Sequence, residues 1–398
     1  MMNRSLLCAA VAACLAASPA SADDIKVGVL LGFTGPIESL TPAMADSAEL
    51  AFKEVSDSGL LLGGKRITPV RADSTCVDAT SAVTAAERLV TADRVAAIYG
   101  ADCSGVTTAV ANNVAVPNGV VMVSPSATSP GLSSLQDNGF FFRTAPSDAR
   151  QGQVLADIVM RRGVDNVAIT YTNNDYGKGL LESFSTAFQA IGGQVAATAA
   201  HEDGKADYAA EVAALAAAGA DYLVVFGYLD QGGKAIIQTS LDSGAFDPGH
   251  FILADGMIGD SLIDAIGNDL IGAFGTQPGS EDDGMARFAR IAQPAGIDAQ
   301  GGPFRGESYD AGALLALAMQ AAGSADRAAI QAQMMAVANA PGEKIHPGEL
   351  AKGLKILAAG GDVDYVGATG VEFNAIGEVQ GSYKELEVKP GFAVVQTY

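Results

Sequence analysis

The chain has 398 residues, with 45 Asp and Glu against 24 Lys and Arg, and carries a formal charge of −21. That balance excludes nucleic acid and an anionic membrane surface as partners. Charged residues are only 17% of the total and hydrophobic ones 49%, which excludes an acidic disordered polymer and leaves length for more than one core.

The first residues read as an export signal. Asn3-Arg4 supplies a positive charge, Leu6 to Ala17 is apolar, and Ala20-Ser21-Ala22 has the small-x-small form of a signal-peptidase site. Residues 1–22 are therefore predicted to be a cleaved signal peptide. The apolar run is shorter than the roughly 20 residues that span a bilayer, and Val11-Ala12-Ala13-Cys14 is a looser match to a lipoprotein box. Cys8 and Cys14 leave with the signal, so Cys76 and Cys103 remain as an even pair in an oxidising compartment. A disulfide is the natural reading, worth about 3–4 kcal/mol by loop closure. A metal site would need two further ligands, and no histidine stands near.

Beyond the signal, apolar strands alternate with amphipathic helices. Strands are predicted at 25–33, 67–73, 95–101 and 120–123, with helices at 43–58, 79–91 and 106–115. The rhythm then restarts, with strands at 167–172, 194–199, 222–226 and 251–254 and helices at 180–191, 208–218 and 234–243. Continuous apolar strands separated by helices predict parallel sheets covered on both faces. Two such units in succession predict two lobes. Long Ala/Leu helices follow between 311 and 338, and the end from 363 to 395 is strand-like and rich in turns. No Pro-rich or Ser-rich linker divides the chain, which favours interleaved lobes.

Catalytic chemistry finds little support. The three histidines, His201, His250 and His346, stand apart from one another and from cysteines, and they are expected on the surface or in loops. Neither H-E-x-x-H nor G-x-S-x-G occurs. Gly59 to Arg66 resembles a phosphate-binding loop, but Arg66 fills the hydroxyl position and the segment leaves a helix to enter a strand, so it reads as a helix cap and turn. Gly28, Gly32 and Gly35 do not make a dinucleotide fingerprint.

Strand-to-helix junctions carry more information, because open parallel sheets bind ligands beyond the carboxyl ends of their strands. In the first unit, Gly100-Ala101-Asp102-Cys103-Ser104-Gly105 opens a helix. Ser104 and free backbone amides there suit a carboxylate, and a plain N-cap is the alternative. Ser124-Pro125-Ser126-Ala127-Thr128-Ser129 brings further hydroxyls to the same edge, or is a polar turn. In the second unit the equivalent edge carries Asn173-Asn174-Asp175-Tyr176-Gly177, Gly227-Tyr228 and Ala254-Asp255-Gly256. A carboxylate with aromatic faces suits an ammonium group. Together the two edges match the ends of an α-amino acid.

These residues carry a family resemblance over nearly all of the chain beyond the signal. Ile25-Lys26-Val27-Gly28-Val29 with Thr34-Gly35-Pro36, Cys103-Ser104, Ser124-Pro125-Ser126-Ala127-Thr128, Phe142-Arg143-Thr144, Asp175-Tyr176-Gly177 and Gly370-Val371-Glu372-Phe373-Asn374 resemble the periplasmic binding proteins of branched-chain amino acid ABC transporters. The resemblance implies an α/β fold of two doubly wound lobes joined by a three-segment hinge, the type I periplasmic binding protein fold. It implies residues 24–145 plus 276–366 as the first lobe and 146–275 plus 367–398 as the second. The family's disulfide falls on Cys76 and Cys103. Its carboxylate ligands fall on Ser104 and Thr128, its ammonium ligands on Tyr176 and Asp255, and cleft-shaping aromatics on Tyr228 and Phe304. Asp255 replaces a Glu, one methylene longer, in the leucine-binding type.

Where that type has a large aromatic, this chain has Ser39-Leu40-Thr41, which implies a remodelled side-chain pocket with Glu307 as a carboxylate near it. The resemblance further implies a monomeric periplasmic receptor without cofactor, metal or catalysis. It would capture an amino acid or related carboxylate by hinge closure and deliver it to an ABC transporter permease. An amide or aromatic acid as ligand, a sensor docking on a membrane receptor, and a secreted amide hydrolase remain alternatives.

Overall fold

The computed structural model describes residues 24–398. The predicted signal peptide, with Cys8 and Cys14, lies outside the described residues.

The first sheet contains β1 (Ile25–Leu31), β2 (Ile67–Asp73), β3 (Ala97–Gly100), β4 (Val121–Ser124) and β5 (Phe141–Arg143), all parallel in the order β2-β1-β3-β4-β5. β3, β4 and β5 are buried at every residue, as strands covered on both faces must be. Helices α1 (Thr41–Asp57), α2 (Ala79–Thr91) and α3 (Ser104–Val110) connect them. α2 shows how local sequence sets an element. The Asp78 carboxylate accepts hydrogen bonds from Thr80 N and Ser81 N, and Ala82, Ala86, Leu89 and Val90 form the buried stripe.

The second sheet repeats the same plan. β6 (Asn166–Thr172), β7 (Gln194–His201), β8 (Tyr222–Phe226), β9 (Phe251–Leu253) and β10 (Phe274–Pro278) lie parallel in the order β7-β6-β8-β9-β10. Helices α4 (Asp148–Arg161), α5 (Asp175–Ala190), α6 (Ala209–Ala216), α7 (Gly232–Ser243) and α8 (Asp260–Ile266) accompany them. In each sheet the chain moves one way from its first strand to its second and then returns to the other side. The crevice at that reversal, between β1 and β3 and between β6 and β8, is where such sheets bind ligands.

The rest completes both lobes. Helices α9 (Asp283–Ala292), α10 (Arg305–Ala322), α11 (Arg327–Ala338) and α12 (Leu350–Ala358) follow, with the short parallel pair β11 (Glu343–Ile345) and β12 (Val363–Tyr365). α10 packs on α1, where Tyr99 Oη donates to Ser308 Oγ at 2.7 Å. Antiparallel β13 (Tyr383–Val388) and β14 (Phe392–Thr397) then extend the second sheet from β10.

Several boundaries differ from expectation. The break expected at 275/276 cuts β10, which keeps its pairing through Pro278↔Tyr383. The break expected at 366/367 also comes too early. Residues beyond it stay on the first lobe, where the buried Asp310 carboxylate accepts from Ala368 N, Thr369 N and Thr369 Oγ1. Asn339 likewise exchanges two hydrogen bonds with Phe373. Helix starts shift as well. α3 begins at Ser104 with Cys103 as its cap residue, and α5 begins at Asp175 because Asn174 Oδ1 accepts from Gly177 N at 3.1 Å. That polar run looks like a loop in sequence. His201, expected at the surface, is buried at the end of β7, where burial pushes its imidazole down to about 4.

Cys76 and Cys103 form a disulfide across a separation of 27 residues. Reducing it is expected to cost about 3–4 kcal/mol, the loop-closure value. Calorimetric melting with and without reductant checks this, and unchanged melting would contradict a stabilising crosslink.

Candidate functional site

Beyond the carboxyl ends of both sheets lies a cavity between the lobes. Five predicted ligand residues line it: Ser104, Tyr176, Tyr228, Asp255 and Phe304. Thr128 is fully buried behind the wall. The first sheet contributes through β1 and β3. Asp102, just after β3, accepts from Gly32 N at 2.6 Å and Ser74 Oγ at 2.9 Å, and so ties together the ends of three strands. Burial pushes the Asp102 carboxyl up, and these two donors oppose the rise.

This frame fixes Ser104 at the start of α3. Its Oγ accepts from Ser129 N at 3.1 Å instead of capping its own helix, so its proton remains free for an acceptor in the cavity. The first amides of α3 also have no intrahelical carbonyl to pair with.

The second lobe supplies an acidic wall. Asp255 Oδ1 accepts from Tyr176 Oη at 2.6 Å and from Gly256 N at 2.7 Å, while Oδ2 is buried without a partner. Tyr176 therefore commits its proton to Asp255 and offers its ring, stacked on Tyr228 at 5.2 Å between centroids. Gly256 permits this approach, because a Cβ there would sit 2.7 Å from Gly227 O and 3.0 Å from Tyr176 Oη.

Asp148 lies buried close to Asp255, behind the residues that line the cavity, and sequence reasoning missed it. It opens α4 directly after β5 and the Thr144–Ser147 connection, and neither of its carboxylate oxygens has a partner although the residue is fully buried. Thr128 Oγ1 lies beside it, and its hydroxyl opposes the rise that burial imposes on the carboxyl. Desolvation, then the nearby Asp255 charge, hold the Asp148 carboxyl well above the usual carboxylate range. Burial raises Asp255 to about 6. An Asp in the first turn of a helix normally faces water and the helix dipole, so the sequence offered only the Ser147-Asp148 helix start as a signal.

The opposite wall is apolar, formed by Ile37, Leu40, Met44 and Phe304. Phe304 adopts φ 65° immediately before α10, a left-handed conformation rare for a bulky residue. Leu40 faces the cavity as the resemblance implied. Glu307 does not line it. Its carbonyl accepts from Thr144 Oγ1 at 2.8 Å, and burial pushes its carboxyl up to about 7.

These buried acids set a pH dependence. Asp203, Asp255 and Asp310 lie near 6 and Glu307 near 7, all above their ordinary values. The native state then holds more protons than the unfolded chain, and stability falls as pH rises. His201 opposes this with its lowered value of about 4, one group against four. The ligand-free melting temperature is expected to decline from pH 5 to 8. Calorimetry across that range checks it, and a rise would contradict this reading of the buried carboxyls.

Residues 24–345 match the family model described as periplasmic binding protein. Leu/Ile/Val-binding protein homolog 3 of Brucella melitensis is 32% identical over 238 residues, covering 58% of this chain and 62% of that protein. Leu/Ile/Val-binding protein BraC3 of Rhizobium johnstonii is 30% identical over 278 residues, covering 68% and 72% respectively. The crystal structure of a leucine binding protein LivK from Thermotoga maritima shares the fold, with a TM-score of 0.78 at 23% identity over 94% of this chain and 98% of that one. The chain belongs to the periplasmic binding protein family, among relatives named for leucine, isoleucine and valine.

Proposed function

We propose that this protein is the periplasmic receptor of an ABC importer, and that it captures an α-amino acid with an aliphatic side chain between its lobes. One observation carries the reading. Asp255 Oδ2 is a buried acceptor without a donor, and the buried Asp148 carboxyl beside it has no cationic partner, next to the free hydroxyl proton of Ser104. Buried polar groups without partners are costly, and a zwitterion supplies what each lacks. Its ammonium donates to Asp148 and Asp255, and its carboxylate accepts from Ser104 and the first amides of α3. Thr128 stands between the two subsites, since the next residue's amide already binds Ser104 Oγ. Ile37, Leu40, Met44 and Phe304 enclose the side chain, and the Tyr176–Tyr228 stack forms the floor under the ammonium.

The hinge follows from the sheet boundaries, at about residues 144–147, 279–282 and 379–382. Closure is driven by the ligand's contacts with both lobes at once. The receptor works as an exported monomer, binds without chemistry, and passes its cargo to a membrane permease. Small-angle scattering with and without saturating L-leucine tests the capture. A contraction is expected, whereas identical profiles under conditions where calorimetry records binding would contradict hinged closure.

A further inference from the structure

A second set of contacts crosses between the lobes without touching the cavity contents. Asp230 sits at the end of the β8–α7 connection, half-buried at the mouth of the cleft. Its Oδ2 accepts from Ser39 N at 2.8 Å, and its own amide donates to Pro36 O at 2.8 Å. Its Oδ1 accepts from Ser261 Oγ at 2.8 Å, and Ser261 Oγ lies 3.4 Å from Ser39 Oγ. Pro36 and Ser39 belong to the first lobe, and Asp230 and Ser261 to the second. The segment so gripped also carries Ile37 and Leu40 of the apolar cavity wall. Gly259 admits Leu40 at the seam, since a Cβ there would lie 3.1 Å from Leu40 Cδ2 and 2.6 Å from Leu229 Cδ2.

We infer that Asp230 is the latch of the closed form, a positioning residue that sets ligand residence by holding the 36–40 segment against the second lobe. The bonds to Ser39 N and Pro36 O join surfaces that separate when the hinge opens, so they bias closure alone. A carboxylate accepting at both oxygens makes charge-assisted bonds, stronger than neutral ones. Because the latch grips the loop between Ile37 and Leu40, it also fixes the cavity wall around the ligand side chain. The inference rests on the hinged-capture reading, but its test does not depend on which amino acid binds.

The ligand-free arm uses the opposite lip of the cleft, where Thr108 Oγ1 lies 3.3 Å from Asp175 Oδ2. A Thr108→Cys/Asp175→Cys protein treated with dibromobimane crosslinks only while the lobes are shut, and the native disulfide stays intact without reductant. Adding Asp230→Ala is expected to slow crosslinking several-fold, roughly in line with the loss of the one charge-assisted bond that crosses the lobes, with Asp230→Asn intermediate. An unchanged rate would overturn the latch. In the liganded arm, stopped-flow release of L-leucine is expected to be roughly tenfold faster from Asp230→Ala than from the unmodified protein, with the ligand-free melting temperature preserved. Equal release rates from both proteins would likewise overturn it. Failure of L-leucine to bind the unmodified protein would count against the proposed ligand, and the crosslinking arm would still decide the latch.

Discussion

Replacing Asp148 or Asp255 by Asn is expected to weaken amino-acid binding by more than about 2 kcal/mol while making the ligand-free protein more stable. The opposite signs follow from the geometry. Three carboxylate oxygens, two on Asp148 and one on Asp255, are buried without donors, and the two groups repel each other. An amide in either place ends the repulsion between the two buried acids, which relieves the empty site. The same change deprives a desolvated ammonium of its counter-charge. Asp255→Asn keeps an acceptor oxygen for Tyr176 Oη and Gly256 N, so the tyrosine stays in place. Titration calorimetry gives the affinity and scanning calorimetry the stability. A variant that lost both together would show that these carboxylates support the fold and not the ligand.

Arg143→Met is expected to cost about 3–5 kcal/mol of stability, the usual consequence of removing one partner from a buried ion pair. Arg143 is fully buried. Its Nη1 donates to Ala127 O at 3.1 Å and Ser129 O at 3.0 Å, and its Nη2 to Ser133 Oγ at 2.9 Å and Glu378 Oε1 at 2.7 Å. The guanidinium thus holds from below the loop that carries Thr128 and the Ser129 amide. Arg143→Lys should lose most of the same stability, because an ammonium does not reproduce the fork. Pairing Arg143→Met with Glu378→Met should recover part of the stability without restoring affinity. Denaturant unfolding and calorimetry read the two effects, and full recovery of binding in the double variant would contradict the loop-anchoring role.

The architecture was legible where the pattern is local. The strands at 67–73 and 222–226 and the helix at 79–91 fall on the observed elements, because apolar runs and a capped amphipathic stripe depend on local sequence. Polar starts were harder. Helices α5 and α3 begin earlier than periodicity suggests, after Asn174 and Cys103; the Asn174 side-chain cap leaves no apolar signature. The lobe boundaries were displaced because β10 pairs with β13 across more than a hundred residues of sequence, a contact that only the fold brings about.

At the site, the strand-end rule led to the segments holding Ser104, Thr128, Tyr176, Tyr228 and Asp255 from residue types alone, and the family resemblance added Phe304. Asp148 escaped both routes. Its importance comes from complete burial opposite Asp255, and nothing in Pro146-Ser147-Asp148 distinguishes a buried first-turn acid from a solvated one. The Tyr176 hydroxyl, which the resemblance gives to the ammonium, donates its proton to Asp255, an arrangement that residue types do not reveal.

Recognition of a zwitterion is tested most directly by thermal shift of the unmodified protein, because a ligand that binds only the folded state raises its melting temperature. The panel is L-leucine, L-isoleucine and L-valine, beside 4-methylpentanoate and benzoate, which lack the ammonium, and 3-methylbutylamine, which lacks the carboxylate. A rise is expected with at least one of the amino acids and with none of the one-ended compounds. A rise with benzoate or 4-methylpentanoate, and none with the amino acids, would contradict the pairing of Ser104 with Asp148 and Asp255 as the two ends of one amino-acid site.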